Sequence, residues 1–390
     1  IRHFRPEIEA RINEYRLPRA IVDEEVARLE QMGIEIRTGV ALGTDFTLED
    51  LEAEYAAVFL ATGAGKQRKT GIKGESLLES GLAFLEAANR EEIPLPGYRC
   101  AVIGGGNTAM DVARVLRQMG ARVTVLYRRT KAEMPAIAEE VDHAIKELVR
   151  FEWLVAPTAV KKVHDELRVS LDHMQLGEPD ESGRPGFERT GVQREMSFDA
   201  IFSAIGESPE IEAFPSRIRD GHGWIDVGDR GTTSDPKVFA GGDLATGPAT
   251  VIQAIAAGRG AAWAIDEELG FAHLWPVDEA VDTVKPADVN PTYMPHFDRA
   301  DDHEVEFVSR FGEETTTLTA EEVSEEIQRC LSCGHCNSCG TCFVFCPDGA
   351  IIWDEGPKID HEFCKGCGIC VVECPGQVMV LVNEREASNA

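Results

Sequence analysis

No stretch of this 390-residue chain approaches 18 uninterrupted apolar residues, which excludes a transmembrane helix. Basic residues are scarce: 39 Lys+Arg stand against 68 Asp+Glu, a formal net charge of −29. Nucleic acid and the anionic membrane surface both need a basic face and are disfavoured as partners. Neither HExxH nor G-x-S-x-G occurs, so zincin and serine-hydrolase chemistry have no support, and the ten histidines show no ligand spacing. The start, Ile1-Arg2-His3-Phe4-Arg5, has neither a Met nor an apolar signal core, so we expect a processed chain or a piece of a longer one. Cysteine is nearly absent from the first 329 residues, where only Cys100 occurs. With no secretion signal a disulfide framework is not expected, and the thiols point to the reducing cytoplasm.

What is present is 43% hydrophobic and 27% charged, an ordinary globular composition, and the length allows two or three domains. Ten of the eleven cysteines fall between Cys330 and Cys374. Cys336-x2-Cys339-x2-Cys342-x3-Cys346-Pro347 is followed by Cys364-x2-Cys367-x2-Cys370-x3-Cys374-Pro375. This doubled run is the spacing of two-cluster bacterial ferredoxins, in which the last cysteine of each run ligates the other cluster. The expected ligands are therefore Cys336, Cys339, Cys342 and Cys374 for one [4Fe–4S] cluster, and Cys364, Cys367, Cys370 and Cys346 for the second. Zinc ribbons also use CxxC pairs, but they do not need two such runs 28 residues apart. Cys330 and Cys333 suggest another register, but the cysteine it requires would fall at Gly340 or at Phe343.

Upstream, Cys100-Ala101-Val102-Ile103 is a short apolar strand followed by Gly104-Gly105-Gly106-Asn107-Thr108-Ala109. That is G-x-G-x-x-A: Gly104 makes the turn, Gly106 lets the backbone approach a pyrophosphate, and Ala109 allows close helix packing. Helical periodicity runs through Ala109, Val112, Ala113 and Leu116 to Met119, Gly120 ends the helix, and Val123-Thr124-Val125-Leu126 is the next strand. The pyrophosphate belongs on the N-terminal amides around Asn107 and Thr108, where dipole and free N–H groups favour an anion. An acidic residue after the second strand would take the ribose 2′-hydroxyl of NADH. Here Arg128 and Arg129 suit a 2′-phosphate, which favours NADPH.

Two flanking segments have another signature. Val58-Phe59-Leu60-Ala61-Thr62-Gly63 reads as a buried strand with a tight turn. Val238-Phe239-Ala240-Gly241-Gly242-Asp243 reads likewise, followed by a helix opening at Thr250-Val251, with Pro248 in the place of a first-turn proline. These segments, with the G-x-G-x-x-A unit between them, resemble the flavin and pyridine-nucleotide domains of two-dinucleotide flavoprotein oxidoreductases. The branch around the glutamate synthase small subunit is the nearer likeness, through Tyr15-Arg16-Leu17-Pro18, Tyr127-Arg128-Arg129-Thr130 and Glu133-Met134-Pro135-Ala136. Arg329-Cys330-Leu331-Ser332-Cys333-Gly334 resembles related NAD(P)H:acceptor oxidoreductases with a C-terminal two-cluster ferredoxin domain.

The resemblance implies that FAD lies against Thr62 and Gly63, that Asp243 after Gly242 hydrogen-bonds the ribityl chain, and that the amides near Thr250 and Val251 face the flavin pyrimidine. Gly206 approaches the nicotinamide in the same picture. A helix start there would stabilise negative charge near N1 of a reduced flavin. The family's opening G-x-G-x-x-G has no counterpart before Gly104, so residues 1–63 match the latter part of an FAD domain.

The expected fold is α/β: a Rossmann-like nucleotide domain inserted in a partial FAD domain, then an α+β ferredoxin domain. The boundaries are 1–63 and 206–270 for the FAD part, 64–205 for the nucleotide domain, 271–325 for an acidic, proline-containing connector and 326–390 for the ferredoxin domain. Residues 177–195 should form a hairpin loop or insertion, and the acidic run 321–326 a solvated helix face. The implied function is electron transfer between NAD(P)H, FAD, two [4Fe–4S] clusters and a partner protein, in a hetero-oligomer and with no side-chain general acid or base. The alternatives are a glutamate synthase small subunit and a ferredoxin-type carrier without flavin activity.

Overall fold

The computed structural model describes residues 13, 16–90, 93–179, 185–221, 223–271, 284, 285, 287, 289–301, 303, 304, 315–331 and 333–383. Tyr15, Pro276, Pro286, Ser332 and residues 180–184 of the expected hairpin lie outside them. The chain divides into two units, Ile1–Leu274 with Glu306–Glu314 and Trp275–Val305 with Thr315–Ala390.

In the first unit, α1 (Arg19–Gln31) buries Val22 and Val26, one helical turn apart. Helix α2 (Leu48–Glu54) starts from a capping box in which Thr47 and Asp50 satisfy each other's backbone N–H groups. After β1 (Val58–Leu60), β2 (Lys66–Gln67) and β3 (Glu79–Ser80) comes α3 (Gly81–Asn89). The expected βαβ start is β4 (Arg99–Ile103), α4 (Asn107–Gln118) and β5 (Arg122–Leu126). Gly120, at φ 99°, turns the chain out of α4. Then come α5 (Ala138–Lys146), β6 (Arg150–Glu152), β7 (Val155–Val163), β8 (Glu166–Pro179), β9 (Pro185–Phe198), β10 (Ala200–Ser203) and β11 (Glu207–Ser208). The unit closes with β12 (Val238–Ala240), the short α6 (Asp243–Thr246) and α7 (Val251–Glu268).

The central sheet is parallel, in the order β3-β10-β4-β5-β6. Its inner strands β10, β4 and β5 are mainly apolar and buried because both of their faces are covered, whereas the edge strands β3 and β6 are polar. Cys100 and Val102 point to a core shared with Phe84, Leu85, Met110, Val112, Leu116 and Val141 from the helices. Ala101, Ile103 and Ile201 point the other way, onto Val160, Val169, Leu171 and Phe198 of the antiparallel β7-β8-β9 sheet. A separate parallel pair joins β1 to β12, with Leu60 opposite Ala240, over a core of Leu48, Phe214, Ile218, Ile225 and Leu244.

The second unit contains the antiparallel pairs β13 (His303–Glu304) with β14 (Thr315–Thr316) and β15 (Ile351–Trp353) with β16 (Pro357–Ile359). Its helices are α8 (Ala320–Gln328), α9 (Thr341–Phe345) and α10 (Ile369–Val372). Helix α8 carries the acidic run and buries none of its residues, as a solvated face requires. Two of its carboxylates nonetheless hold the preceding segment: Glu322 meets His303 at 2.7 Å and Glu326 accepts from the Ala300 N–H. Among the described residues no helix is long and apolar enough to cross a membrane.

Candidate functional site

The dinucleotide turn lies at the carboxyl ends of β4 and β5. Gly104 has φ 147°, and a Cβ there would stand 2.1 Å from the Ala204 carbonyl oxygen, so the strand can turn here only with glycine. A Cβ on Gly106 would meet nothing within 4 Å. That open space, ahead of a 12-residue helix whose first amides have no side-chain cap, is where a pyrophosphate can reach the backbone. Asn107 turns its Oδ1 away from its own helix to accept from the Ile137 N–H at 2.9 Å, and Thr108 follows it in the first turn. Ala109 is fully buried, and its Cβ is 3.2 Å from where a Gly104 Cβ would sit. Gly206, at φ 104°, has open space around its Cα, and its carbonyl accepts from the Arg68 N–H at 3.1 Å.

The two arginines after β5 have different surroundings. Arg128 is exposed, whereas Arg129 is 5% exposed and donates its Nε to the Pro185 carbonyl at 2.8 Å. Both guanidinium groups lie over the ring of Phe187, at 4.2 Å and 5.0 Å from its centroid. The stretch expected as a hairpin loop is thus the far end of β8 and β9, folded back to β5. Sequence reasoning did not find this contact, because Phe187 is 59 positions from Arg128 and no periodicity links them.

The flavin-side residues gather at the carboxyl ends of β1 and β12, where the Gly241 N–H donates to the Leu60 carbonyl at 3.0 Å. Thr62 and Gly63 leave from one strand, with open space around Gly63, and Gly242 and Asp243 leave from the other. Asp243 accepts from the Ala249 N–H at 3.1 Å, and burial pushes its carboxyl up from the usual range. Thr250 is the N-cap of α7, in a capping box with Gln253, and Val251 opens the helix. Pro248 therefore stands two residues before the cap and not in the first turn, because the turn capped by Asp243 intervenes. These residues fit the isoalloxazine and ribityl end of a flavin.

In the second unit the cysteines form two sets. Cys336, Cys339, Cys342 and Cys374 line one cavity, with Trp353 and Pro375. Cys346, Cys364, Cys367 and Cys370 line the other, with Ile351 and Ile359. Each run ends in the same local structure: Gly340 and Gly368, at φ 78° and 74°, start α9 and α10. The Ala350 N–H donates to Cys346 Sγ at 3.3 Å, and the Val378 N–H donates to Cys374 Sγ at 3.2 Å. Burial pushes the Cys342 and Cys370 thiols up, so thiolates there require a cationic group to balance them. Among the described residues no three His, Cys, Asp or Glu side chains converge as for one ion. Four thiols spread around a cavity are instead the donor set of an iron–sulfur cubane. Cys330 and Cys333 are exposed and line neither cavity.

The pyridine nucleotide-disulphide oxidoreductase family matches residues 3–258, and the 4Fe-4S binding domain family matches residues 357–380. The beta subunit of the NADP(+)-dependent formate dehydrogenase of Moorella thermoacetica is 38% identical over 275 residues, 66% of this chain and 38% of that protein. The beta subunit of the NADPH-Fe(3+) oxidoreductase of Geobacter sulfurreducens is 32% identical over 372 residues, 82% of this chain and 54% of that one. The chain thus spans about half or less of the length of these curated relatives. FprA of Mycobacterium tuberculosis in complex with NADPH superposes with a TM-score of 0.56 at 20% identity, covering 65% of this chain and 72% of that one, a likeness of fold.

Proposed function

The chain belongs to the pyridine nucleotide-disulphide oxidoreductase family, with a 4Fe-4S binding domain beside it, and on that premise we propose that it is an electron-transfer subunit. It passes electrons between NADPH and two [4Fe–4S] clusters by way of FAD, to or from a partner protein in a hetero-oligomer. The observation that carries this reading is one chain holding both a dinucleotide turn and two four-thiol cavities. A hydride donor works in electron pairs and a cubane in single electrons, and the flavin, when bound, supplies the chemistry that joins the two.

Each residue then has a stated task. Gly104 makes the turn and Ala109 lets the helix pack close to it, so that Gly106 and the amides of Asn107 and Thr108 bind the pyrophosphate, and Arg128 meets a 2′-phosphate, with Arg129 behind it. NADH is the weaker substrate for that reason. Gly206 lets the nicotinamide come close. Thr62, Gly63, Gly242 and Asp243 orient the flavin, and the capped start of α7 at Thr250 and Val251 favours negative charge on its pyrimidine. Cys336, Cys339, Cys342 and Cys374 hold one cluster; Cys364, Cys367, Cys370 and Cys346 hold the other. The N–H groups of Ala350 and Val378, which donate to Cys346 and Cys374 Sγ, would stabilise the more negative, reduced state of a cluster held there. No side chain is assigned proton transfer. Both curated relatives are named as beta subunits of enzymes using NADP(H), which supports the nucleotide and a partner subunit. The cytoplasm, where thiols stay reduced, is the compartment we assign.

Anaerobic stopped-flow mixing of the holoprotein with NADPH tests the reading. Flavin absorbance should bleach, followed by the visible absorbance of the clusters. About eight irons per chain with no flavin would identify a ferredoxin-type carrier instead. Co-purification of a glutamine-dependent amidotransferase would identify a glutamate synthase small subunit.

A further inference from the structure

The far end of the β8–β9 hairpin leaves the core. Val169 and Leu171 are buried at its root, but Leu176 and the Phe187 opposite it are 39% and 38% exposed. An aromatic residue on a projecting ribbon is held only by what it meets at the tip, and here it meets Arg128 and Arg129. The contact has two independent parts. The Pro185 carbonyl takes the Arg129 Nε and anchors the strand, while the Phe187 ring lies under Arg128. Arg129 is buried in making its bond, whereas Arg128 is an exposed residue at the carboxyl end of β5.

A guanidinium over an aromatic face is attracted by the quadrupole of that ring, which restricts the side chain, and its planar fork carries its N–H donors along the edge. That edge matches two oxygens of a phosphate monoester and gains nothing comparable from a hydroxyl. Two guanidinium groups on one ring also concentrate positive charge, which a phosphate dianion relieves. On a free lysine-like stem the same charge would first have to be ordered, at the expense of side-chain entropy.

We propose that Phe187 is a specificity-determining positioning residue: it holds Arg128 in the orientation that receives the 2′-phosphate of NADP(H), so the hairpin sets the nucleotide preference. This inference rests on the NADP(H) reading above. It adds a residue that lies outside the βαβ unit.

Isothermal titration of the full chain with NADP⁺ and with NAD⁺ tests it. Phe187→Ala should weaken NADP⁺ by about 3- to 30-fold, the span of a cation–π contact, and leave NAD⁺ within about twofold. Phe187→Tyr should keep the wild-type ratio of the two affinities. Phe187→Leu, which fills the site without a π face, should behave like Phe187→Ala. Loss of both nucleotides alike in Phe187→Ala, or an unchanged ratio, overturns the inference. Arg128→Ala separates the two readings. If it removes the preference while Phe187→Ala does not, only the role of Phe187 fails. If Arg128→Ala changes both affinities equally, or the wild type binds the two nucleotides equally, the 2′-phosphate reading fails with it. Circular dichroism and melting of each variant confirm that it folds.

Discussion

Arg114 and Glu140 are paired at 2.9 Å, and the guanidinium is only 2% exposed. Arg114 lies on α4, the helix that follows the Gly104–Gly106 turn, and Glu140 on α5. The same guanidinium reaches Glu147 at 2.7 Å, and the second oxygen of Glu140 meets Arg16, which also pairs with Asp111 of α4 at 2.7 Å. The segment around Arg16 is thus tied by charge to the helix that follows the Gly104–Gly106 turn.

Breaking that network should be costly because it strands buried charge. Arg114→Ala removes the cation that pairs with both Glu140 and Glu147, for a loss of about 3–5 kcal/mol. Urea denaturation followed by circular dichroism should show this loss as a lower midpoint. A shift of less than about 0.5 kcal/mol would mean that water already screens the group.

Two glycines of the same turn, Gly104 and Gly106, should give opposite phenotypes. Gly104→Ala places a Cβ 2.1 Å from the Ala204 carbonyl oxygen and should lower thermal stability by about 1–3 kcal/mol. Gly106→Ala meets no atom, so its melting temperature should be almost unchanged. The new methyl group instead occupies the space of the pyrophosphate, and NADP⁺ affinity should drop at least about tenfold, some 1.4 kcal/mol. Melting curves and titrations on the two variants check the pair.

The crossed thiol sets make a prediction about iron. Cys374→Ser should remove the same cluster as Cys336→Ser, and Cys346→Ser the same one as Cys364→Ser. Each variant should retain about four irons in place of eight. Electron paramagnetic resonance of the reduced proteins should sort the four variants into those two pairs; pairing of Cys374→Ser with Cys364→Ser would refute the assignment.

Burial pushes the Cys100 thiol up to about 12, and a thiol in the unfolded chain titrates near 8.5. The folded state therefore keeps a proton that the unfolded state loses. Its contribution to stability is complete below about pH 8.5 and is lost as the pH rises toward 12. At pH 9 iodoacetamide should leave Cys100 unmodified in the native protein and alkylate it after denaturation, as mass spectrometry of the Cys100 peptide would record. Native alkylation at pH 9 would mean that the strand opens.

Much of this molecule could be read from local pattern. The run from Cys100 to Leu126 announced strand, turn, helix and strand, since apolar continuity, Gly-x-Gly and a terminal glycine each act over a few residues. The spacing of the thiols from Cys336 to Cys374 was legible for the same reason. What escaped depends on chain return. Phe187 under Arg128 needs a 14-residue strand to fold back over the sheet, and Arg16 against Asp111 spans 95 positions. The Tyr-Arg-Leu-Pro element drew notice only as a likeness, with no hint that Arg16 would join a buried ion network. Pro248 misled because the turn closed by Asp243 delays the helix by three residues.

The exchange of thiols between the two cavities has a consequence for how such a unit can be cut or copied. A chain ending after Ala350 would keep Cys336, Cys339 and Cys342 but leave their cavity one donor short, and a chain beginning there would lack Cys346. Neither half is a small carrier in its own right, although the two look like duplicates. Whatever doubled this sequence yielded a module that can be transplanted only whole.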